Sequence, residues 1–358
     1  MGIARSEALQ NRRQELSSWL NAGLAGPLRY MEEFFLRQER FLSAFPEAKS
    51  VIVLGADYGN QVERDTKPPD PEAAGAGRIS RYALHRDYHR VLRQRLKRLE
   101  ALIQEMSPEP AYFRRTVDTS PVQERALAEA AGLGFFGKNT CLIRPKGGSF
   151  FFLCTLITNL SLEPDQPLSW SCGNCTLCLE ACPTGALPEP FRLDASRCIS
   201  SLTIEHRGPI PNDLRPLLKD WIFGCDICQE VCPYNRAGHS TSADDFPAVL
   251  SQKMPLETIL RCRTEEQFQN LFQTTPLTRP GREGLLRNAA IAAGNLKDSG
   301  LIPELEDCLL NDSSAIVRSH AAWALGQIPD SRASQILRQA SLNETDSTVK
   351  DEILRAIR

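Results

Sequence analysis

The chain has 358 residues, with 42 Lys and Arg against 44 Asp and Glu, and a formal charge of −2; no global basic excess advertises nucleic acid. Its length allows two or three domains. The opening M-G-I-A-R-S has no apolar signal-peptide core, and no later segment runs to eighteen apolar residues, so a cytoplasmic protein with no membrane span is expected.

Helical spacing of apolar residues runs from about Gln10 to Phe45, and Ser50-Val-Ile-Val-Leu-Gly55 reads as a buried strand ending in a loop. Tyr82 to Met106 is a long helical pattern. Between Arg78 and Arg98 stand ten Arg, Lys or His residues and one acid, Asp87, while Val91, Leu92, Leu96 and Leu99 supply a buried side. Such a surface fits a polyanion and equally a solvated helix face. The strand-like A-Y-F-R-R-T-V precedes Asp118, and a helix is expected next, with Ser120 as cap, Pro121 in the first turn and Gly132 as the stop. An acid between strand and helix lies where α/β folds place reacting groups, although a loop-capping role explains it as simply. G-L-G-F-F-G-K-N-T follows. Its glycines allow close backbone approach to a large ligand, and Lys138 and Asn139 suit phosphate or amide groups. Cys141 to Arg144 and Phe150 to Asn159 are β-rich and joined by P-K-G-G-S, the signal of a hairpin.

Cys172, Cys175, Cys178 and Cys182 then form C-x2-C-x2-C-x3-C-P, and Cys225, Cys228 and Cys232-Pro233 repeat its second half. This is the spacing of a two-cluster bacterial ferredoxin, in which the cysteine before proline crosses to the other cluster. One [4Fe–4S] cluster accordingly takes Cys172, Cys175, Cys178 and Cys232. The other takes Cys182, Cys225, Cys228 and Cys198, which fills the gap in a degenerate C-x26-C-x2-C. Zinc wants two pairs and has no use for the third cysteine or the C-P. Disulfides require an oxidising compartment. Cys141, Cys154, Cys262 and Cys308 stand alone in apolar surroundings and read as core residues. A polar stretch, H-S-T-S-A-D-D, marks a linker after the cysteines.

Near the C-terminus, Asn288-Ala-Ala-Ile-Ala-Ala-Gly-Asn295 returns as His320-Ala-Ala-Trp-Ala-Leu-Gly-Gln327, a shift of 32 residues that also carries Asp298 onto Asp330 and Val317 onto Val349. Paired helices in short HEAT-like repeats are expected, each inner helix ended by its glycine. So few repeats must cap the preceding domain.

The ordered series I-S-R-Y-A-L-x-R-D-Y-H, V-D-T-S-P-V-x-E-R, A-G-L-G-F-F-G-K-N, G-S-F-F-F-L, C-G-x-C-x-x-C-x-x-x-C-P-T-G-A, C-I-S-x-L-T-I-E and G-C-D-I-C-Q-x-V-C-P-x-N resembles the epoxyqueuosine reductase family over nearly the whole chain. The resemblance implies a mixed α+β and α/β architecture: a nitroreductase-like cobalamin-binding domain over 1–159, a bacterial ferredoxin-like two-cluster domain over 160–240, a connecting helical segment over 241–280 and HEAT-like repeats over 281–358. It implies the last step of queuosine synthesis, in which two electrons and two protons turn an epoxide on a tRNA wobble base into an alkene with loss of water. Cobalt in cobalamin would deliver the electrons, recharged by the two clusters. By the same resemblance Asp118 is the proton donor. Arg81, Asp118, Gly137, Lys138, Asn139, Leu142 and Leu153 lie near the corrin or substrate, with Glu205 a weaker candidate. Arg90, Arg93 and Lys97 then read as tRNA contacts. A low-potential flavodoxin or ferredoxin donor and a monomeric state complete the expectation. Family members usually carry a helix and the first part of a strand before G-I-A-R, whereas here Met1 is followed at once by Gly2-Ile3-Ala4-Arg5, which leaves open whether the N-terminus is truncated. The alternatives are a dehalogenase-like reductase of small molecules and a ferredoxin-type electron-transfer module.

Overall fold

The computed structural model describes residues 1–58, 75–236, 246 and 248–357. Two compact units form, one drawn from Met1–Gln61, Asp87–Ser196 and Ile227–Pro247, the other from Val62–Arg86, Arg197–Asp226 and Ala248–Arg358. Each is therefore assembled from three separate stretches of chain. The H-S-T-S-A-D-D stretch lies outside the described residues.

The first unit is built on a four-stranded antiparallel sheet in the order Gly2–Arg5, Ser50–Asp57, Phe151–Thr158, Phe113–Thr116. The β-branched run predicted at Ser50 forms a strand, and alternation sends Val51 and Val53 into a core shared with Leu127, Ala128 and Ile157. The helix Glu124–Ala130 packs on one side of this sheet, and the basic helix Tyr88–Met106 packs against the strands Phe113–Thr116 and Phe151–Thr158 through buried Leu92 and Leu96. That helix begins at an Asp87 cap, whose carboxylate accepts from the His89 N–H, so the helical pattern starting at Tyr82 is divided by a 3-10 turn at Arg81–Leu84.

Three local expectations are corrected. The helical run from Gln10 is two helices, Arg13–Asn21 and Tyr30–Ser43; between them Gly23 and Gly26 adopt φ +69° and +50°. Ser120 caps nothing. The helix starts later, at Glu124, after Gln123, which makes no side-chain cap bond, although Gly132 (φ +67°) does stand past its end. The hairpin reduces to a bridge between Arg144 and Gly148: Leu142–Ile143 pairs with Phe135–Phe136, and Phe151–Thr158 is taken by the central sheet.

In the second unit Trp221–Phe223 runs parallel to Ala76–Ile79, which pairs antiparallel with Lys253–Pro255. Helices Gly281–Leu296, Ile302–Asn311, Ala315–Gln327, Ser331–Asn343 and Ser347–Ile357 form the expected repeats. Asp298 and Asp330, one repeat apart, each cap the turn that follows, accepting from Gly300 N–H and Arg332 N–H. Gly294 and Gly326 do not end their helices. A Cβ at Gly294 would stand 2.9 Å from Ala324 Cα, and one at Gly326 would stand 2.8 Å from Ala356 Cβ, so both serve close approach of successive inner helices. The repeats do cap a neighbouring segment of their own unit: the Asn288 amide donates to Thr203 O (2.8 Å) and Ile222 O (2.9 Å), and Asn295 to Arg215 O (2.9 Å) and Lys219 O (2.7 Å). Among the described residues no helix is long and apolar enough to cross a membrane.

Candidate functional site

The first unit brings Cys172, Cys175, Cys178 and Cys232 to one pocket, lined also by Lys138, Asn139, Ile143, Leu177, Pro233 and Tyr234. A turn closed by Cys175 N–H on Cys172 O (3.1 Å) starts the loop, and the short helix Leu177–Ala181 carries Cys178. Cys232 is buried against Phe135 and Ile143. Burial pushes the Cys178 thiol up to about 11, and the neighbouring Cys172, Cys232 and Cys175 add to it; burial likewise raises Cys232. Among the described residues no three Cys, His, Asp or Glu side chains gather as at a single metal ion. Lys138 N–H points at Cys172 Sγ (3.4 Å) and its ammonium donates to Gly173 O (2.8 Å), while Asn139 donates to Cys228 O (3.3 Å). Lys138 and Asn139 are thus fastened to the cysteine loops. Gly137 packs closely here: a Cβ there would lie 2.4 Å from Ile143 Cδ1 and 2.7 Å from Asn139 Oδ1, so those side chains would have to move. Leu142 is buried in the sheet core and Leu153 packs against that core.

Of the other four motif cysteines, Cys182 and Cys228 belong to the first unit and Cys198 and Cys225 to the second. Cys198 heads the buried helix Ile199–Ile204. Next to Cys225, Asp226 accepts from Ser80 Oγ (2.6 Å) and from the Arg81 N–H (2.8 Å), so Arg81 stands on a turn tied to a cysteine loop. The close approach needs Gly224: a Cβ there would meet Ser80 Cβ at 2.5 Å. Glu205 is paired with Arg279 (3.0 Å). Cys154, Cys262 and Cys308 are buried core thiols as expected; Cys141 is only half-buried and lies close enough to act on the Cys232 thiol.

Asp118 ends the strand Phe113–Thr116 in a turn closed by Thr119 N–H on Val117 O (2.5 Å), with φ +53°. Its side chain is 65 % exposed, so the described residues do not themselves enclose this carboxyl. One oxygen lies 3.4 Å from His89 Nε2, whose other nitrogen lies 2.6 Å from Asp87. Burial alone would lower the His89 pKa, but the bonds to Asp118 and Asp87 outweigh it and the net shift is upward. Glu124 reaches back from the helix start: its Oε1 accepts from Asp118 N–H (3.0 Å) and Thr116 Oγ (3.3 Å). Burial, reinforced by the Asp118 charge, pushes the Glu124 carboxyl up to about 8. Arg93 donates to Thr119 (2.9 Å), and Arg90, Arg93 and Lys97 lie exposed on the basic helix. The basic run is not a single face: Arg78 stacks on Trp221 (4.3 Å) in the second unit. Glu124 and Asp226 escaped the sequence reading. An acid in a helix's first turn ordinarily signals dipole complementation, and only the position of Asp226 between two motif cysteines hints at a role.

Two ferredoxin-type cysteine motifs, an acid on a constrained loop and a helical-repeat tail define an iron–sulfur oxidoreductase of the double-cluster class. Residues 171–235 match the 4Fe-4S double cluster binding domain, residues 278–358 the HEAT repeats, and residues 39–119 the family described as epoxyqueuosine reductase QueG, DUF1730. The chain is 41 % identical to the epoxyqueuosine reductase of Xanthomonas campestris (87 % of each chain) and 37 % identical to that of Escherichia coli K12 (100 % of this chain, 91 % of that one). Solved structures agree. An epoxyqueuosine reductase with an epoxyqueuosine-modified tRNA-Tyr stem loop superposes with TM-score 0.88 at 31 % identity (99 % and 93 % covered), and the Bacillus subtilis enzyme, with its catalytic aspartate loop swung out of the active site, with 0.78 at 33 % (88 % and 83 %). The chain belongs to the epoxyqueuosine reductase family.

Proposed function

We propose that this chain reduces epoxyqueuosine to queuosine at the wobble position of a tRNA anticodon, the final step of queuosine synthesis. The observation that carries the reading is the end-to-end match to epoxyqueuosine reductases in a chain whose four-cysteine pocket and strained Asp118 loop share one unit. The reaction consumes an epoxide, two electrons and two protons, and yields an alkene and water. No side chain here can supply electrons to a carbon–oxygen bond, so redox centres must.

The pocket cysteines fit a [4Fe–4S] cluster in donor chemistry: four thiols line one pocket, burial and the neighbouring cysteines hold the protons of Cys178 and Cys232, and bound iron charge would make all four thiolates. The second set is assigned by spacing alone, Cys182 by the C-P rule, Cys225 and Cys228 by their C-x2-C, and Cys198 as the thiol that fills the gap in the degenerate motif. For cobalamin the resemblance names Asp118, Gly137, Lys138, Asn139, Leu142 and Leu153 in the first unit and Arg81 in the second, within a nitroreductase-like domain. Buried Gln123 Nε2, which has no acceptor among the described residues, is a group a ligand amide would satisfy. When bound, cobalamin supplies the low-potential electrons. Asp118 gives the proton with which oxygen leaves, and His89, 3.4 Å away, is placed to restore it. Arg90, Arg93 and Lys97 take tRNA phosphates, and a flavodoxin- or ferredoxin-type protein feeds the clusters of a cytoplasmic monomer.

The test is anaerobic reconstitution with iron, sulfide and cobalamin, visible spectra before and after reduction, and mass spectrometry of nucleosides from an epoxyqueuosine-bearing stem-loop. Queuosine formed only with cobalamin present is expected. Turnover without cobalamin removes that cofactor from the reading, and cluster reduction with no queuosine leaves an electron-transfer module.

A further inference from the structure

Asp118 holds a left-handed backbone conformation (φ +53°), which few residues other than Gly, Asn and Asp adopt and which the surrounding structure must hold in place. Its neighbours form a continuous chain of hydrogen bonds. Thr155, on the strand Phe151–Thr158, shares one with Thr116 (2.6 Å); Thr116 donates to Glu124 Oε1 (3.3 Å); the same oxygen receives the Asp118 N–H (3.0 Å). Thr116 and Thr155 are buried, so this chain starts inside the sheet and ends on the exposed loop.

Glu124 is an expensive way to cap a strand end. A carboxylate in the first turn of a helix is ordinarily turned to water, where it complements the dipole without desolvation. Here it is turned back under the loop.

We propose that Glu124 is a positioning residue: by anchoring the Asp118 N–H it keeps Asp118 in the left-handed conformation that sets its carboxyl against His89 and toward the reacting oxygen. This rests on Asp118 being the proton donor. Glu124 itself touches no substrate in this assignment and acts only through Asp118.

Glu124→Ala, Glu124→Gln and Asp118→Asn in the full chain, loaded with both clusters and cobalamin, test it. Two quantities are read: kcat and KM on the modified stem-loop, and the His89 titration followed by nuclear magnetic resonance. Glu124→Ala should lower kcat at least about tenfold with KM within about twofold, and His89 should titrate at lower pH because Asp118 no longer stands beside it. Glu124→Gln keeps an acceptor oxygen for both donors and should retain kcat within about threefold. If Glu124→Ala does not fold, Glu124→Leu, which fills the space without an acceptor, replaces it. Full kcat and an unchanged His89 titration in the acceptor-less variant overturn the positioning role, whatever Asp118→Asn does. An active Asp118→Asn overturns the proton-donor reading instead, and the His89 shift still decides whether Glu124 holds the loop.

Discussion

Asp118 and the cysteines carry the chemistry as individual side chains, and each can be separated from its fold. Asparagine preserves the shape of Asp118 and its N–H bond to Glu124, but has no proton to give. Asp118→Asn should therefore keep iron content and tRNA affinity while turnover falls by the ~10²-fold expected for loss of a general acid. Single-turnover assays check this, and a loss under about threefold would make Asp118 a loop residue. Cysteines divide the same way. Cys308 is fully buried, its thiol pushed up to about 11 by burial, and it accepts from Arg263 (3.1 Å). Cys198 is only half-buried and makes no cap bond at the head of its helix. Cys198→Ala should lose about half of the roughly eight irons two cubes hold, and Cys308→Ala none; equal iron content in the two variants would refute the assignment of the degenerate ligand.

At the scale of elements, legibility followed the range of the interactions. The buried strand at Ser50, the helix at Tyr88 and the repeat helices were readable because their periodicity is local. The hairpin was misread because Phe151–Thr158 finds its partners at Ser50–Asp57 and Phe113–Thr116, and turn glycines carry no information about such distant pairing. Ser120 met the sequence rule for a cap, but the Asp118 turn and its bond to Glu124 set the helix start instead. The site was legible where spacing encodes chemistry, in the cysteines and the acid after the strand; Glu124 and His89 become visible only when strand, loop and helix are folded together. The basic helix leaves two readings open, a polyanion contact and a solvated face, because Leu92 and Leu96 face inward while Arg90, Arg93 and Lys97 face solvent with no carboxylate partner among the described residues, as both require. Replacing those three with Ala should weaken tRNA binding and flatten its salt dependence, each lost phosphate contact removing about 0.7–0.9 of a unit of slope. Binding titrations at several salt concentrations decide it: identical slopes make the helix a solvated face.

Across the second unit, one repeat position does the fastening three times. Asn288, His320 and Glu352 are spaced by 32 residues and all are buried. Asn288 donates to Thr203 O and Ile222 O, His320 Nε2 accepts from Ile210 N–H (3.2 Å), and Glu352 pairs with Arg215 (2.9 Å). The repeat period thus places a polar group at each step against the segment 197–226, which includes Cys198 and Cys225. The middle fastener is sensitive to pH. His320 also directs Nδ1 at Ile316 O (2.7 Å), so the bonds require the neutral ring, with Nδ1 protonated and Nε2 accepting. Burial, followed by the charge of Arg215, holds its pKa well below the ordinary value of 6.5. The unfolded chain takes up this proton as pH drops through about 6.5 and the folded chain does not, so the contribution of His320 is full above that pH and is lost progressively below it. Glu124 and His89 have raised values and act with the opposite sign, each favouring the fold as pH falls. The informative quantity is therefore the difference between parent and His320→Gln, whose amide does not titrate. Anaerobic thermal unfolding at pH 7.5 and pH 5 should show the parent losing more midpoint temperature than the variant, and the carboxylates with lowered values, Asp330, Glu344 and Asp346, do not contribute until pH approaches about 4. Parallel loss in the two proteins would mean that the His320 ring accommodates its charge within the fold.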